Sequence, residues 1–310
     1  MPDESDTHKR TWMSFVANDY IWSTQHIPQV KRDLALIARA IAKYEPVSIL
    51  VHPLDVEEAK SLLGGLAVHE YPIELVEFAT DDLWLRDTGA TFVLAVDGKR
   101  HDIDFNLNGW GESKRTFLDA KVAGKIAQQA NVNQLSTNLV LEGGCFEVDG
   151  QGTAILTKSC VLNGNRNPNM TQQQVEVELK RLLGLEKIIW LQGVKDQDIT
   201  DAHTDFYARF GAKGEVVVSR DNYLSSVDYK VTRDNIDILS NSTNAQGNKL
   251  KVIIVDTPEN INLTFGEKDF AAGYIGSYLC NGAVIMQGFN DEEADKKRVK
   301  FYSAASKVEK

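Results

Sequence analysis

The stretch Ile199-Thr200-Asp201-Ala202-His203-Thr204-Asp205-Phe206-Tyr207-Ala208-Arg209-Phe210 decides how the rest of the chain is read. From Thr204 onward bulky and polar residues alternate. That pattern predicts a strand with Phe206, Ala208 and Phe210 on one face and Asp205, Tyr207 and Arg209 on the other. His203 and Asp205 are two residues apart, so extended backbone projects an imidazole and a carboxylate to the same side, at the mouth of that strand. A histidine in such a place also serves as an ordinary hydrogen-bonded structural residue, so the pair needs support from elsewhere in the chain.

Of the 310 residues, 43% are hydrophobic and 25% charged, a globular composition able to bury a large core as one big domain or two. Thirty-four basic against 44 acidic residues give a formal charge of −10, which repels phosphate backbones and anionic membranes and attracts cationic ligands. Nucleic acid and membrane are therefore not expected as partners. Residues 1–10 are polar and charged, and no apolar run approaches the roughly 18 residues of a membrane span, which predicts a cytosolic protein. Cys145, Cys160 and Cys280, odd in number and far apart, point to reduced thiols rather than a disulfide framework.

Along the chain one plan recurs. Residues 28–44 carry Val30, Leu34, Ile37, Ala38 and Ile41 at helical spacing, with Pro28 suited to a first turn, and a strand follows at 47–51. Residues 84–96 read as a strand that turns at Asp97-Gly98 into the alternating run 101–105, followed by a helix over about 116–130. The plan returns as strand 139–148, a turn at residues 149–152, strand 153–157, a helix and strand 187–191. That helix is well marked: Thr171 with Gln174 makes a capping box, Val175, Leu179 and Leu182 make the stripe, and Gly184 suits the stop. Residues 203–210, a turn at 211–214, strand 215–219, a helix near 232–240 and strand 250–255 repeat it, and a last copy begins at 274–279, turns at Asn281-Gly282 and runs through 283–287.

The predicted strand starts carry Asp87, Glu142 and His203, 55 and 61 residues apart. Repeats of this length usually form units around an axis, each unable to bury its own face alone, and a site on the axis collects one residue from each. The single domain then divides into units at about 11–70, 71–135, 136–198, 199–268 and 269–310, the last incomplete.

Trp84-Leu85-Arg86-Asp87-Thr88-Gly89, Asn108-Gly109-Trp110-Gly111, Leu141-Glu142-Gly143-Gly144 and Asp201-Ala202-His203-Thr204-Asp205 occur in that order. Together they resemble the motifs of the agmatine deiminase and Porphyromonas-type peptidylarginine deiminase family, over residues 12 to about 291. The resemblance implies the pentein fold, an α/β propeller of five ββαβ-like units around a pseudo-fivefold axis. It implies hydrolysis of a guanidinium to a ureido group with release of ammonia and no cofactor, as in the conversion of agmatine to N-carbamoylputrescine in putrescine synthesis.

A guanidinium is planar, cationic and forked, so two carboxylates can hold it by charge-assisted bidentate hydrogen bonds. By the resemblance these are Asp87 and Asp205, with Trp110 and Trp84 lining the pocket against the aliphatic arm. Ion pairing of Asp87 with Arg86 is disfavoured, since neighbours on a strand point to opposite faces. A family cysteine thiolate attacks the guanidinium carbon, and the histidine matched by His203 protonates departing ammonia and then activates water on the thiouronium intermediate. Glu142 would hold the imidazolium; capping of the Gly143-Gly144 turn is its structural alternative. Agmatine also brings a second cation that wants another acid, for which Asp198 and Asp201 are candidates.

Three departures stand out. Ala90 replaces the family's proline, and Ala202 replaces its glycine before the histidine, where strain is expected. The third concerns the family's nucleophile, which lies in a glycine-rich Ile-His-Cys motif near the C-terminus. None of the three cysteines here matches it; Cys145 alone is expected near the pocket, Cys280 reads as core and Cys160 has no evident partner. The chain therefore reads as C-terminally truncated and inactive as given. An open fifth unit would invite low solubility, or a homodimer with that unit at its interface. A non-catalytic guanidinium-binding remnant and a protein-arginine deiminase are the alternatives to an agmatine enzyme. A metallohydrolase using His203 with Asp205 is a weaker reading, since His8, His26, His52, His69 and His101 form no close ligand pair, and no metal is expected.

Overall fold

The computed structural model describes residues 1–65, 69–114, 117–211, 214–258, 272–289 and 291–296. The start of the helix predicted from 116 lies outside the described residues. Among the described residues five small sheets carry the fold. The first holds β1 (Thr11–Phe15), β2 (Val47–Val51) and β3 (Ile73–Glu77), all parallel, linked by helices α1 (Ile27–Ile41) and α2 (Val56–Leu63). Its third strand lies past residue 70, where the first unit was expected to end.

The next three sheets share one plan, an antiparallel hairpin and then a helix returning a parallel strand. They are β4 (Thr91–Leu94), β5 (Arg100–Ile103) and β6 (Asn133–Leu135); β7 (Phe146–Val148), β8 (Thr153–Thr157) and β9 (Lys187–Leu191); and β10 (Ala208–Phe210), β11 (Glu215–Arg220) and β12 (Lys251–Asp256). The return helices are α3 (Val122–Ala130), α4 (Gln172–Leu183) and α5 (Asp228–Ser240). The hairpin β13 (Tyr278–Cys280) and β14 (Ala283–Ile285) forms the fifth sheet. Helix α4 follows the sequence expectation closely. Thr171 Oγ1 accepts from the Gln174 amide and Gln174 Oε1 accepts from the Thr171 amide, Val175, Leu179 and Leu182 are buried, and Gly184 sits at φ +69°.

The apolar contacts close these units into a ring. Leu50 and Val76 of the first sheet pack with Val122 and Ile126 of α3. Ile103 and Phe105 pack with Phe146 and Leu156, and Ile155 and Ile189 with Val216 and Val218. Val217 and Val255 meet Tyr274, Ile275 and Phe289, and Cys280 of the last hairpin packs into the core of the first sheet beside Ile49, with Tyr278 and Ile285 against it. Each sheet is too small to bury its own face, so every interface borrows half its core from the next unit.

Candidate active site

Just before β4, β7 and β10 the chain makes a single helical turn, Leu85–Thr88, Gly143–Cys145 and Thr204–Phe206, and the first and third pack on the second. These turns carry the site, and they correct the sequence reading. Residues 84–88 and 204–206 were read as strand, and the alternation after Thr204 misassigned two side chains: Phe206 is 41% exposed and Tyr207 buried. Thr204 explains the turn, because its Oγ1 donates to the Cys145 carbonyl at 2.6 Å and accepts from the Thr157 amide at 3.0 Å. Seven residues of alternation cannot reveal a bond to a residue 59 positions back.

Gly144 marks where the functional side chains meet. A Cβ on this residue would collide with His203 Nδ1 and stand 2.9 Å from both Asp205 Oδ2 and Asp87 Oδ1. Asp87 is anchored by Trp110 Nε1, donating to Oδ2 at 2.9 Å, and by the Gly144 amide, donating to Oδ1 at 2.9 Å. Trp110 reaches it from a left-handed backbone (φ +55°, ψ +55°) in the loop after β5. Arg86 turns away from Asp87 and pairs with Glu4. The imidazole of His203 lies between two acids, with Nε2 3.0 Å from Glu142 Oε2 and Nδ1 3.7 Å from Asp87 Oδ1. Phe206 adds an aromatic face, its ring centroid 6.4 Å from that of His203. We expect Gly144→Ala to leave the fold in place at a cost of about 1–3 kcal/mol for overpacking, yet to abolish guanidinium binding. Thermal melting and calorimetric titration of one sample separate the two effects, and retained binding would show that these side chains do not meet there.

Burial sets the protonation states. For Asp87, burial raises the pKa above the ordinary carboxylate range, the His203 charge opposes this, and Asp205 and Glu142 add to it. Burial alone would favour a neutral His203; the sulfur of Cys145, the Asp87 carboxylate and the bond to Glu142 outweigh it and raise its pKa well above normal. Burial likewise opposes ionisation of Glu142, but the hydrogen bond and charge of His203 and the charge of Arg166 hold it below its usual value.

Arg166 is the functional residue the sequence did not reveal. Fully buried, it donates from Nε to both Glu142 oxygens at 3.1 and 2.9 Å, from Nη1 to Asp201 Oδ2 at 2.9 Å and from Nη2 to the Thr200 carbonyl at 3.1 Å. One guanidinium thus ties the turn bearing Glu142 to the loop bearing His203. The Asn-rich run Asn163-Gly164-Asn165-Arg166-Asn167 was the available signal, since so many turn-formers around one arginine mark a built loop.

Three sequence candidates lie apart. Asp201 is spent on Arg166, on Asn165 Nδ2 and on the Asp196 amide, and Asp198 accepts from the Thr200 and Ala202 amides and the Thr200 hydroxyl. Trp84 is half-exposed and donates to Asp82 Oδ2 at 3.0 Å. The strain expected at Ala202 is present: it sits at φ +69° and Asp201 before it at φ +58°, conformations that favour glycine. Glu142 also fills its structural alternative in part, accepting from Cys145 Sγ at 3.1 Å across the turn. Cys160, read as having no partner, has its sulfur 3.2 Å from that of Cys145.

The sequence model of the Porphyromonas-type peptidyl-arginine deiminase family matches residues 1–309, well beyond the span from 12 to about 291 that the motifs cover. A relative from Legionella pneumophila is 35% identical over 297 residues, covering 96% of this chain and 83% of its own. The agmatine deiminase of Pseudomonas aeruginosa is 31% identical over 313 residues, covering 94% and 83%. Among solved structures, the agmatine deiminase of Enterococcus faecalis superposes with a TM-score of 0.88 at 27% identity, over 98% of this chain and 88% of that one.

Proposed function

The chain belongs to the Porphyromonas-type peptidyl-arginine deiminase family, and from that premise we propose that its pocket takes the guanidinium of agmatine. Its fold is the pentein α/β propeller. The observation that carries the reading is the convergence of Asp87, Asp205 and His203 on Gly144, two acids and an imidazole from two units of the ring. Asp87 and Asp205 hold the planar cation. In the reaction the resemblance implies, a thiolate first bonds to the guanidinium carbon; His203, kept charged by Asp87 and Glu142, is placed to give a proton to the ammonia then expelled and, once neutral, to take one from the water that displaces the sulfur and leaves a ureido group.

Agmatine is favoured over arginine in a peptide or free in solution by the local charges. Arg86 and Arg209, whose charges act on Asp205, are held by Glu4 and by Glu4 with Glu147, and Arg166 is held by Glu142 with Asp201, so none of the three is available to a substrate carboxylate. His203 and Glu142 are buried, which suits a small ligand over a polypeptide. The net charge of −10 adds long-range attraction for a dication. The described residues contain no helix long and apolar enough to cross a membrane, and with three free cysteines we place the protein in the cytosol.

Calorimetry tests the binding. Agmatine is expected to bind, and Asp87→Ala to weaken it about 10- to 100-fold, the worth of a charged hydrogen-bonded contact. The pH dependence has a definite sign. The raised pKa of Asp87 means that below it the acid must lose a proton before accepting the cation. Affinity therefore falls as pH drops through the raised Asp87 value, by at most roughly tenfold per unit for one group. Equal affinity in Asp87→Ala, or tighter binding in acid, would remove Asp87 from the pocket.

A further inference from the structure

Behind the imidazole face that looks toward Asp87, four buried side chains gather: Glu142, Cys145, Cys160 and, through its Nε2 edge, His203. One donor atom from each lies within 4.8 Å of all the others. The close pairs are Cys145 Sγ to Cys160 Sγ at 3.2 Å, Cys145 Sγ to Glu142 Oε2 at 3.1 Å and His203 Nε2 to Glu142 Oε2 at 3.0 Å. We propose that these four residues form a binding site for a zinc-class divalent cation.

Tetrahedral zinc with bonds of about 2.3 Å to sulfur and about 2.0–2.1 Å to nitrogen or oxygen spaces its ligand atoms roughly 3.3–3.8 Å apart. The short edges need to open by up to about half an ångström, and the long ones, within 4.8 Å, to close by up to about one. The donor set is selective: two thiols with an imidazole and one carboxylate suit zinc and exclude magnesium and calcium, which want oxygen. Charge is nearly balanced. Binding expels the thiol protons and any proton on Nε2; two thiolates and one carboxylate then exceed the dication by one negative charge, which faces Arg166, shared with Asp201 and with its Nε 2.9 Å from Glu142 Oε2. Four protein ligands leave no open position, so the site is closed rather than hydrolytic, unlike the His203 with Asp205 arrangement weighed from sequence. It uses the histidine edge that Glu142 otherwise holds, so a bound cation withdraws His203 from proton transfer.

The sequence does not disclose the site, because Cys160 reaches Cys145 only after the β7–β8 hairpin folds back. The proposal stands apart from the guanidine reading, since metal is read by spectrum and content and agmatine by calorimetry.

The test uses the full chain, expressed with zinc and purified in a phosphine reductant without chelator. About one zinc per chain by elemental mass spectrometry is expected. After the metal is stripped, cobalt(II) should give thiolate-to-cobalt charge-transfer bands in the near ultraviolet and intense tetrahedral bands in the visible, and zinc should bleach both. Cys160→Ser and Cys145→Ser should each lose most of the charge-transfer intensity, while Cys280→Ser retains it; circular dichroism checks their folding, and the wild-type stoichiometry and spectrum decide the matter if a variant does not fold. A zinc-free folded wild type without cobalt bands would overturn the proposal. So would bands that survive Cys160→Ser.

Discussion

Ammonia release from agmatine by the purified, monodisperse 310-residue chain is expected at the rate of buffer alone. The reason lies in the three cysteines. Cys145, the nearest to the site, is fully buried, and burial first, then its neighbours Cys160 and Glu142, push its thiol pKa well above normal. Its sulfur donates to Glu142 at 3.1 Å, behind the histidine and away from the carboxylates that would hold the guanidinium. Cys160 lies behind Cys145, and Cys280 is packed in the core of the first sheet. A thiol kept neutral beside a carboxylate is a poor nucleophile. Without attack by a thiolate, the remaining acids and His203 can bind and polarise the cation, but water must add to a resonance-stabilised carbon in one step. Removing the nucleophile from an enzyme that divides its barrier this way costs about 10⁶-fold in kcat, or roughly 8 kcal/mol. Robust turnover in a coupled ammonia assay, abolished by Cys145→Ser, would give Cys145 the nucleophile's role and sink this expectation.

What the sequence disclosed and what it hid divide along a physical line. Local patterns carried helix α4, whose cap, stripe and stop all lie within residues 171–184. The recurrence of polar residues before each hairpin carried Asp87, Glu142 and His203, because repeated units put equivalent positions at equivalent places around a ring. Long-range polar bonds were hidden. Arg166 acts on residues 24 positions back and 35 ahead, and no local rule links them. Glu4, read as part of a polar N-terminal tail, lies between Arg86 and Arg209 with the Leu279 amide donating to it at 2.8 Å. Burial opposes its ionisation, but the two guanidiniums hold its pKa at about 2. The strand read at residues 204–207 failed for the same reason, since a threonine bonded across the ring outweighed the local alternation.

Arg166→Met is expected to destabilise the chain by about 3–5 kcal/mol, the cost of removing one partner from a buried ion pair. Its guanidinium serves two carboxylates and a carbonyl at once, all of them buried or nearly so. After substitution Glu142 keeps His203, but Asp201 keeps only Asn165 and a backbone amide, leaving a charge without a countercharge in the loop that positions His203. Lysine should not rescue it, because a single ammonium cannot reproduce a fork that bonds Glu142 through Nε and Asp201 through Nη1. The pH dependence gives a second check. In the wild type the Asp201 and Glu142 pKa values are lowered, in each case because hydrogen bonds and charge outweigh burial. Their stabilisation is therefore present above the unfolded carboxylate range and lost as pH falls through the lower folded values. In Arg166→Met the Asp201 pKa should rise instead, so acid relieves the buried charge and the deficit relative to wild type shrinks between about pH 7 and pH 5. Urea unfolding at the two pH values measures this as a midpoint shift at constant slope. A midpoint at pH 7 within about 0.5 kcal/mol of wild type, the range of an ordinary surface change, would mean that Arg166 does not hold the two acids together.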